Sequence, residues 1–219
     1  MRVANAHSIA DLERLARRRM PRFLYDFVAC GAGAETTLAA NRAGFLSRRL
    51  IPRMLTAAGD PDPSVMLVGK RAALPLAIAP IGLAGLMHPD GEIGLARAAA
   101  REEIPVCLST NAVASLEHVA GAVPEARLWF QLYPLKDRAI MDGLLDRAVA
   151  VGVEALVLTI DLPVQGRRLR DLRNGFSVPP QPTPATLLDL VAHPRWSVGV
   201  LRGPRIGFGN LEQARSRKR

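Results

Sequence analysis

RLWFQLY (residues 127–133), a charged segment of helical period (137–151), and then ALVLTID (155–161) form the stretch that decides the fold of this chain. Both flanking runs are apolar, rich in β-branched or aromatic residues, and end in a polar cluster. This marks strands rather than turns of a buried helix. Outward from this strand–helix–strand unit, the same pattern recurs upstream in IPVCLST (104–110) and LPLAIAP (74–80), with helical segments at about 92–102 and 116–123 between the runs. Strand starts lie 23 to 30 residues apart, a spacing that suits βα units joined by short loops. Alternation of this kind argues for a parallel α/β sheet, and in such sheets ligand chemistry gathers beyond the carboxyl ends of the strands. Ser109, Thr110, Asn111, Gln131, Tyr133, Thr159 and Asp161 all fall there.

A (β/α)8 barrel needs eight such units and about 250 residues. The expected architecture is therefore α/β, a truncated (β/α)8 TIM barrel with about four βα units behind an N-terminal helical cap; an open four-stranded sheet is the alternative. Half a barrel leaves apolar strand edges to be covered by something else. The cap and lead-in take residues 1–72. Ser8 with Asp11 three residues later signals a helix reaching about Arg19, Pro21 starts a second helix carrying Phe23, Leu24, Phe27 and Val28, and a third runs from about Glu35 to Phe45. An irregular stretch follows through Pro52, Gly59, Pro61 and Pro63. Residues 73–219 make up the half barrel. Its pattern lapses after Asp161: 162–182 are rich in Pro and Arg, 183–193 suit a short helix, and 194–219 are mixed.

Composition excludes several classes. An apolar fraction of 49% with 22% charged residues is that of an ordinary globular chain. The net charge of +9 is spread along the whole length, almost all of it as arginine, since Lys70, Lys136 and Lys218 are the only lysines. Without a clustered stripe or a recognised motif, no nucleic-acid partner is expected; the basic tail Arg215, Arg217, Lys218 and Arg219 is the local exception. Cys30 and Cys107 stand at no metal-ligand spacing, so neither a zinc site nor a disulfide framework is expected and a reducing, cytoplasmic compartment fits. The longest apolar stretch, Ala72 to Met87, is interrupted by Pro75 and Pro80 and reads as strand plus turn rather than a membrane span.

The chain lacks GxGxxG after a strand, GxxxxGK[ST], HExxH and GxSxG. Nicotinamide Rossmann enzymes, P-loop nucleotidases, zincins and α/β-hydrolases are thereby disfavoured. What remains is the strand-end polar set, able to aim hydrogen bonds at a planar ligand with a polar edge. Singly, each member has a structural reading as well: Ser109 and Thr159 satisfying strand-end backbone, Gln131 as a polar strand residue, Tyr133 packing beside Pro134. None of the four histidines, His7, His88, His118 and His193, stands at a strand end, the place for a general base.

Several motifs in one order carry a resemblance. APIGLAGLMHPDGE (79–92), LST (108–110), WFQLY (129–133), LTIDLPVQGRR (158–168) and DLRNGFSVPP (171–180) resemble the FMN-dependent α-hydroxy-acid dehydrogenases and oxidases, the family of glycolate oxidase, mandelate dehydrogenase and respiratory lactate dehydrogenases. The likeness covers residues 8 to about 211. It implies FMN as cofactor and oxidation of an L-2-hydroxy acid of the lactate, mandelate or glycolate type to the 2-oxo acid. The acceptor is left open between oxygen, a quinone and a cytochrome. By position it implies that the turn Pro80, Ile81, Gly82 lies against the flavin and that Ser109, Gln131 and Thr159 bond the polar edge of its ring system. Tyr133 and Arg168 would reach the substrate, with Arg168 pairing its carboxylate. An arginine fork suits a carboxylate, and a tyrosine hydroxyl suits a substrate oxygen.

Two departures from the family accompany the likeness. Its YDY motif reads Tyr25, Asp26, Phe27, so one substrate-binding hydroxyl is missing, and Tyr25, two helix positions from Phe27, should point elsewhere. The family's flavin-proximal lysine, histidine base, second carboxylate-binding arginine and phosphate site belong to the second half of the barrel, so no catalytic residue is assigned in this chain and it is expected to be inactive alone. The competing reading is a non-catalytic remnant or a half barrel that needs a partner chain; the complete enzyme is expected to be a homo-oligomer. Residues 177–210 stand where membrane-associated relatives carry an interfacial insertion. Leu187, Leu188, Leu190, Val191, Trp196, Val198, Val200 and Leu201 among Arg195, Arg202 and Arg205 would suit an anionic surface such as the inner membrane, a packed loop and short helix being the alternative.

Overall fold

A computed structural model describes residues 3–55, 59–162, 164, 166–177, 183–203 and 206–216. In chain order its elements are α1 (Ile9–Arg19), α2 (Arg22–Ala29), α3 (Thr36–Leu46), β1 (Val65–Leu67), β2 (Lys70–Ala72), α4 (Ala84–Met87), α5 (Gly91–Arg101) and β3 (Val106–Ser109). There follow α6 (Leu116–Ala122), β4 (Leu128–Leu132), α7 (Arg138–Ala150), β5 (Ala155–Leu158), α8 (Leu169–Asn174), α9 (Pro184–Ala192), α10 (Pro194–Arg202) and α11 (Gly209–Ser216). They group into two compact units, Met1–Asp62 with Val164–Pro194, and Pro63–Pro163 with Arg195–Arg219.

In the first unit, α1 is capped by Ser8 and by Asp11, which reaches back beyond the N-cap. Ser8 Oγ accepts from the Asp11 amide at 3.2 Å, and the Asp11 carboxylate accepts from the His7 amide at 3.0 Å. Pro21 stands at the N-cap of α2, and Phe23 and Leu24 are the buried residues of that helix. Helix α8 ends in a Schellman motif: Gly175 sits at φ +60°, and the Phe176 amide bonds Asp171 O at 2.9 Å. That reversal carries the Phe176 ring onto Phe27, stacked at 4.2 Å with 9° between planes. The sequence leaves α8 unassigned within a Pro- and Arg-rich stretch, although Asn174-Gly175 is its stop signal.

The second unit holds a three-stranded parallel sheet in the order β3-β4-β5 and a two-stranded hairpin, β1-β2. Val68 and Gly69, both at positive φ, make the two-residue turn of the hairpin, which the sequence reading missed. Parallel register sets Val106 beside Leu128 and Leu108 beside Phe130 and Leu156 on one sheet face. That face packs Leu108, Phe130 and Leu132 against Ile93 and Ala96 of α5, Leu116 and Val119 of α6, and Leu144 and Ala148 of α7. The opposite face carries Cys107 beside Trp129 and Ala155, and Ser109 beside Gln131 and Val157.

One expected strand is corrected. The run 74–80 forms a single parallel bridge, Ile78 to Val106, rather than a strand, so three strands and a bridge stand where four strands were expected. Prolines 75 and 80 lack the N–H a ladder needs, and only Ile78 exchanges bonds with the neighbouring chain, giving its amide to Pro105 O and accepting from Cys107 N, both at 2.9 Å. The described strands form an open sheet with β5 at its edge. Helices α10 and α11, in the stretch read as mixed, also belong to this unit. The Trp196 indole of α10 donates to Leu86 O at 2.9 Å.

An ion pair between a buried arginine and an exposed carboxylate joins α6 to α7. Arg147, 5% exposed, gives two hydrogen bonds to the Glu117 carboxylate at 2.6 and 2.7 Å. Those bonds hold the Glu117 carboxyl down from 4.5 to about 2, against the opposing effect of burial. Since the folded value lies below the unfolded one, the pair's contribution is complete above about pH 4.5 and is lost as pH falls towards 2. Urea denaturation should therefore show a stability gap between the native chain and Glu117→Gln at pH 7 that narrows at pH 3; a gap independent of pH would refute the assignment.

Candidate functional site

The strand ends of the second unit build a continuous polar cluster around Gln131, which is 2% exposed. Its Oε1 accepts from Ser109 Oγ at 3.2 Å and from the Thr110 amide at 3.3 Å, while Nε2 donates to Thr159 Oγ1 at 3.0 Å. The orientation of the amide follows from chemistry. A backbone N–H only donates, so the oxygen must face Thr110, and the NH2 group must then face Thr159. Thr159 Oγ1 is the acceptor in that contact, which leaves its own proton, and the second proton of Gln131 Nε2, directed to other partners. Thr110 is fully buried and closes the cluster from behind, its hydroxyl donating to Gln131 O at 2.5 Å.

The loop after β3 is fixed on every side. Asn111 N donates to Ser109 Oγ at 3.1 Å, and Asn111 O accepts from Leu83 N at 2.9 Å, tying this loop to the turn at 80–82. In that turn Ile81 is 46% exposed, and Gly82 lies so near that a Cβ placed on it would stand 3.5 Å from Asn111 Cβ and 4.0 Å from Ser109 Oγ. Glu92, from the HPDGE motif, is 4% exposed and accepts from Val113 N at 2.9 Å. The sequence reading assigned no role to Glu92 or Asn210, both of which hold this loop. A charged or amide residue in an apolar helical context was the available signal. Beside the cluster, Tyr133, Pro134, Thr159, Ile160 and Leu162 line an open cavity of ≈330 Å³. Asp161 is exposed.

On the same sheet face, the Cys107 thiol is pushed up to about 11 by burial, which keeps it neutral and unreactive. Trp129 Nε1 is buried with no hydrogen-bond partner among the described residues. The structure holds none of the histidines at a strand end. His88 Nδ1 lies 2.6 Å from Pro89 O, and His193 Nδ1 lies 2.8 Å from Asp189 O. Among the described residues no group of acidic, Cys or His side chains is placed to hold a metal ion.

Arg168 belongs to the first unit, where its guanidinium is already engaged. Its carbon lies 4.8 Å over the Phe27 ring, NH2 donates to Phe27 O and to Cys30 Sγ, the latter at 3.1 Å, and Nε stands 2.8 Å from Asp171 Oδ2. The Nε contact is one of charge, without the alignment of a hydrogen bond. Tyr25 turns the other way, its hydroxyl donating to Glu13 at 3.0 Å, as the two-residue helical offset from Phe27 requires.

The donor set suits FMN on its own chemistry. A flavin edge alternates carbonyl oxygens with an N–H, and the cluster offers an amide proton, a hydroxyl proton and hydroxyl oxygens on one side of a rigid sheet.

Comparison with known proteins agrees with this. The model of the FMN-dependent dehydrogenase family matches residues 16–218. A putative L-lactate dehydrogenase of Mycobacterium tuberculosis is 41% identical over 212 residues, 97% of this chain and 51% of that protein. A 4-hydroxymandelate oxidase of Amycolatopsis orientalis is 45% identical over 172 residues, 78% of this chain and 48% of that protein. Among solved structures, the monotopic membrane protein (S)-mandelate dehydrogenase superposes with a TM-score of 0.89 at 34% identity, covering 98% of this chain and 59% of that one. The chain thus spans about half the length of the curated relatives it matches.

Proposed function

Because the chain belongs to the family of FMN-dependent dehydrogenases, we propose that it carries the flavin-edge half of an enzyme that oxidises an L-2-hydroxy acid, of the lactate, mandelate or glycolate type, to the 2-oxo acid. The observation that carries this reading is the Gln131 cluster, whose bonding leaves donors of Gln131 and Thr159 for a ligand. Ser109, Gln131 and Thr159 would hold the polar edge of FMN, and Pro80, Ile81 and Gly82 would lie against its ring. When bound, FMN supplies the acceptor for the substrate's two electrons. Tyr133 would hold a substrate oxygen from the cavity wall. Arg168 is proposed as the carboxylate partner on the resemblance alone, and to act it must exchange its contact with Asp171 for the substrate. Phe27, stacked on Phe176, offers an apolar surface where relatives place a hydroxyl, so a substrate with an aromatic or alkyl side chain is favoured over glycolate.

A second reading is that residues 73–219 act as a half barrel completed by another polypeptide. It is favoured by Leu156 and Leu158 of β5, 48% and 54% exposed, and by Ile160 just beyond that strand, 75% exposed, which continue the apolar face that helices cover on β3 and β4. Trp129 Nε1, buried and without a hydrogen-bond partner among the described residues, lies on the other face of this sheet. A peripheral membrane site is proposed on α9, where Leu187, Leu188 and Val191 are 51%, 74% and 78% exposed. Among the described residues, no helix is long and apolar enough to cross a membrane.

Titrating the purified chain with FMN and following flavin fluorescence should give saturable binding that Gln131→Leu weakens by on the order of tenfold or more, with no turnover of lactate, glycolate or mandelate. Flavin affinity untouched by Gln131→Leu would sink the assignment of the site. Sedimentation velocity should show association of the native chain that Leu156→Lys with Leu158→Lys abolishes while the circular dichroism spectrum is kept; a monodisperse native monomer would exclude completion of the half barrel by a second copy of this chain. Co-sedimentation with anionic vesicles should fall in Leu188→Glu with Val191→Glu, and binding equal to that of the native chain would remove α9 as the membrane contact.

A further inference from the structure

Helix α11 enters the second unit directly against the loop that follows β3. Gly209 N donates to Ala112 O at 3.1 Å, and the approach is so close that a Cβ on Gly209 would stand 2.4 Å from Val113 O. The next residue, Asn210, is fully buried and its amide reaches both ends of the loop. Nδ2 donates to Ser109 O at 3.2 Å, and Oδ1 accepts from Leu116 N at 2.9 Å. Ser109 O also accepts from Ala112 N at 3.1 Å, so both of its lone pairs are used. Arg147 fixes Asn210 in turn, with NH1 donating to Asn210 O at 2.7 Å and NH2 to Asn210 Oδ1 at 3.5 Å, while Nε and NH2 hold Glu117.

We propose that Asn210 is a positioning residue for the flavin-edge loop. Its side chain sets the Ser109 carbonyl, and through Ser109 the hydroxyl that bonds Gln131 and the Asn111 amide, so α11 is coupled to the cluster without touching a ligand. The inference rests on the flavin reading only for what the loop faces; the positioning itself is a property of this chain. The chemistry is asymmetric. A buried amide that serves a carbonyl and an N–H at once has no equivalent in a carboxylate, which accepts only, or in a methyl group, which does neither.

Amide hydrogen exchange on the whole chain, without flavin, tests the proposal in two variants. Asn210→Ala should speed exchange of both the Ala112 and Leu116 amides about tenfold. Asn210→Asp keeps an acceptor for Leu116 and places a second acceptor against Ser109 O, so Ala112 should lose protection by a similar factor while Leu116 retains it. The Phe130, Leu132 and Thr159 amides should be unchanged in both. Uniform loss across the three strands would make Asn210 an ordinary stability residue, and unchanged Ala112 exchange would remove it altogether; either overturns the proposal. Where the native chain binds FMN, both variants should raise the dissociation constant about tenfold. If the native chain binds none, the flavin reading fails while the exchange result still decides the positioning.

Discussion

A primary amide buried at the end of a central strand must be satisfied on both its oxygen and its nitrogen, and the second unit is arranged around meeting that demand for Gln131. Its oxygen takes Ser109 and Thr110 from the strand on one side, and its nitrogen takes Thr159 from the strand on the other. The parallel register sets Ser109 beside Gln131 and Gln131 beside Val157, and Thr159, two residues further and just past β5, lies on the same face. A slip of one position in either pairing would send Gln131 into the apolar layer beneath α5, α6 and α7 and leave its amide without partners, at about 1–3 kcal/mol per lost group. Register, core and polar cluster are therefore one constraint seen from two faces of the sheet.

Rigidity of the site follows from where its backbone groups go. The loop after β3 gives or takes bonds from α5 through Glu92, from the turn before α4 through Leu83, and from α11 through Gly209 and Asn210. A loop bound from several elements is placed by tertiary structure and resists local opening. The edge of β5 is built differently. Its apolar residues face outward with no helix across them among the described residues, the condition that natural sheets otherwise avoid at their edges. The same strand thus contributes Thr159 to the most ordered part of the unit and Leu156 and Leu158 to the least covered.

In the first unit Phe27 is stacked on Phe176 and lies under an arginine already in ion-pair contact with Asp171. The Schellman turn at Gly175 is what delivers Phe176 to that stack, so a local backbone device decides the character of a side-chain surface.

The strand runs 104–110, 127–133 and 155–161, the helices between them and the capping signals of α1 were legible in the sequence, because period and cap chemistry are local. So was the position of Ser109, Gln131 and Thr159 at the strand ends, because each closes an apolar run. What sequence could not reveal depended on contacts far apart in the chain. Prolines 75 and 80 reduced an apolar run to a bridge once the neighbouring chain was in place, and Asn210 gained its meaning only when α11 met a loop 101 residues upstream of it at Ser109. Glu92 and Arg147 likewise read as surface charges on amphipathic helices until packing buried them. The sequence by itself determined the alternation, the polar strand ends and the family. Tertiary structure alone decided which polar groups are spent on one another, because a hydrogen bond's partner is chosen by position in space and not by order along the chain.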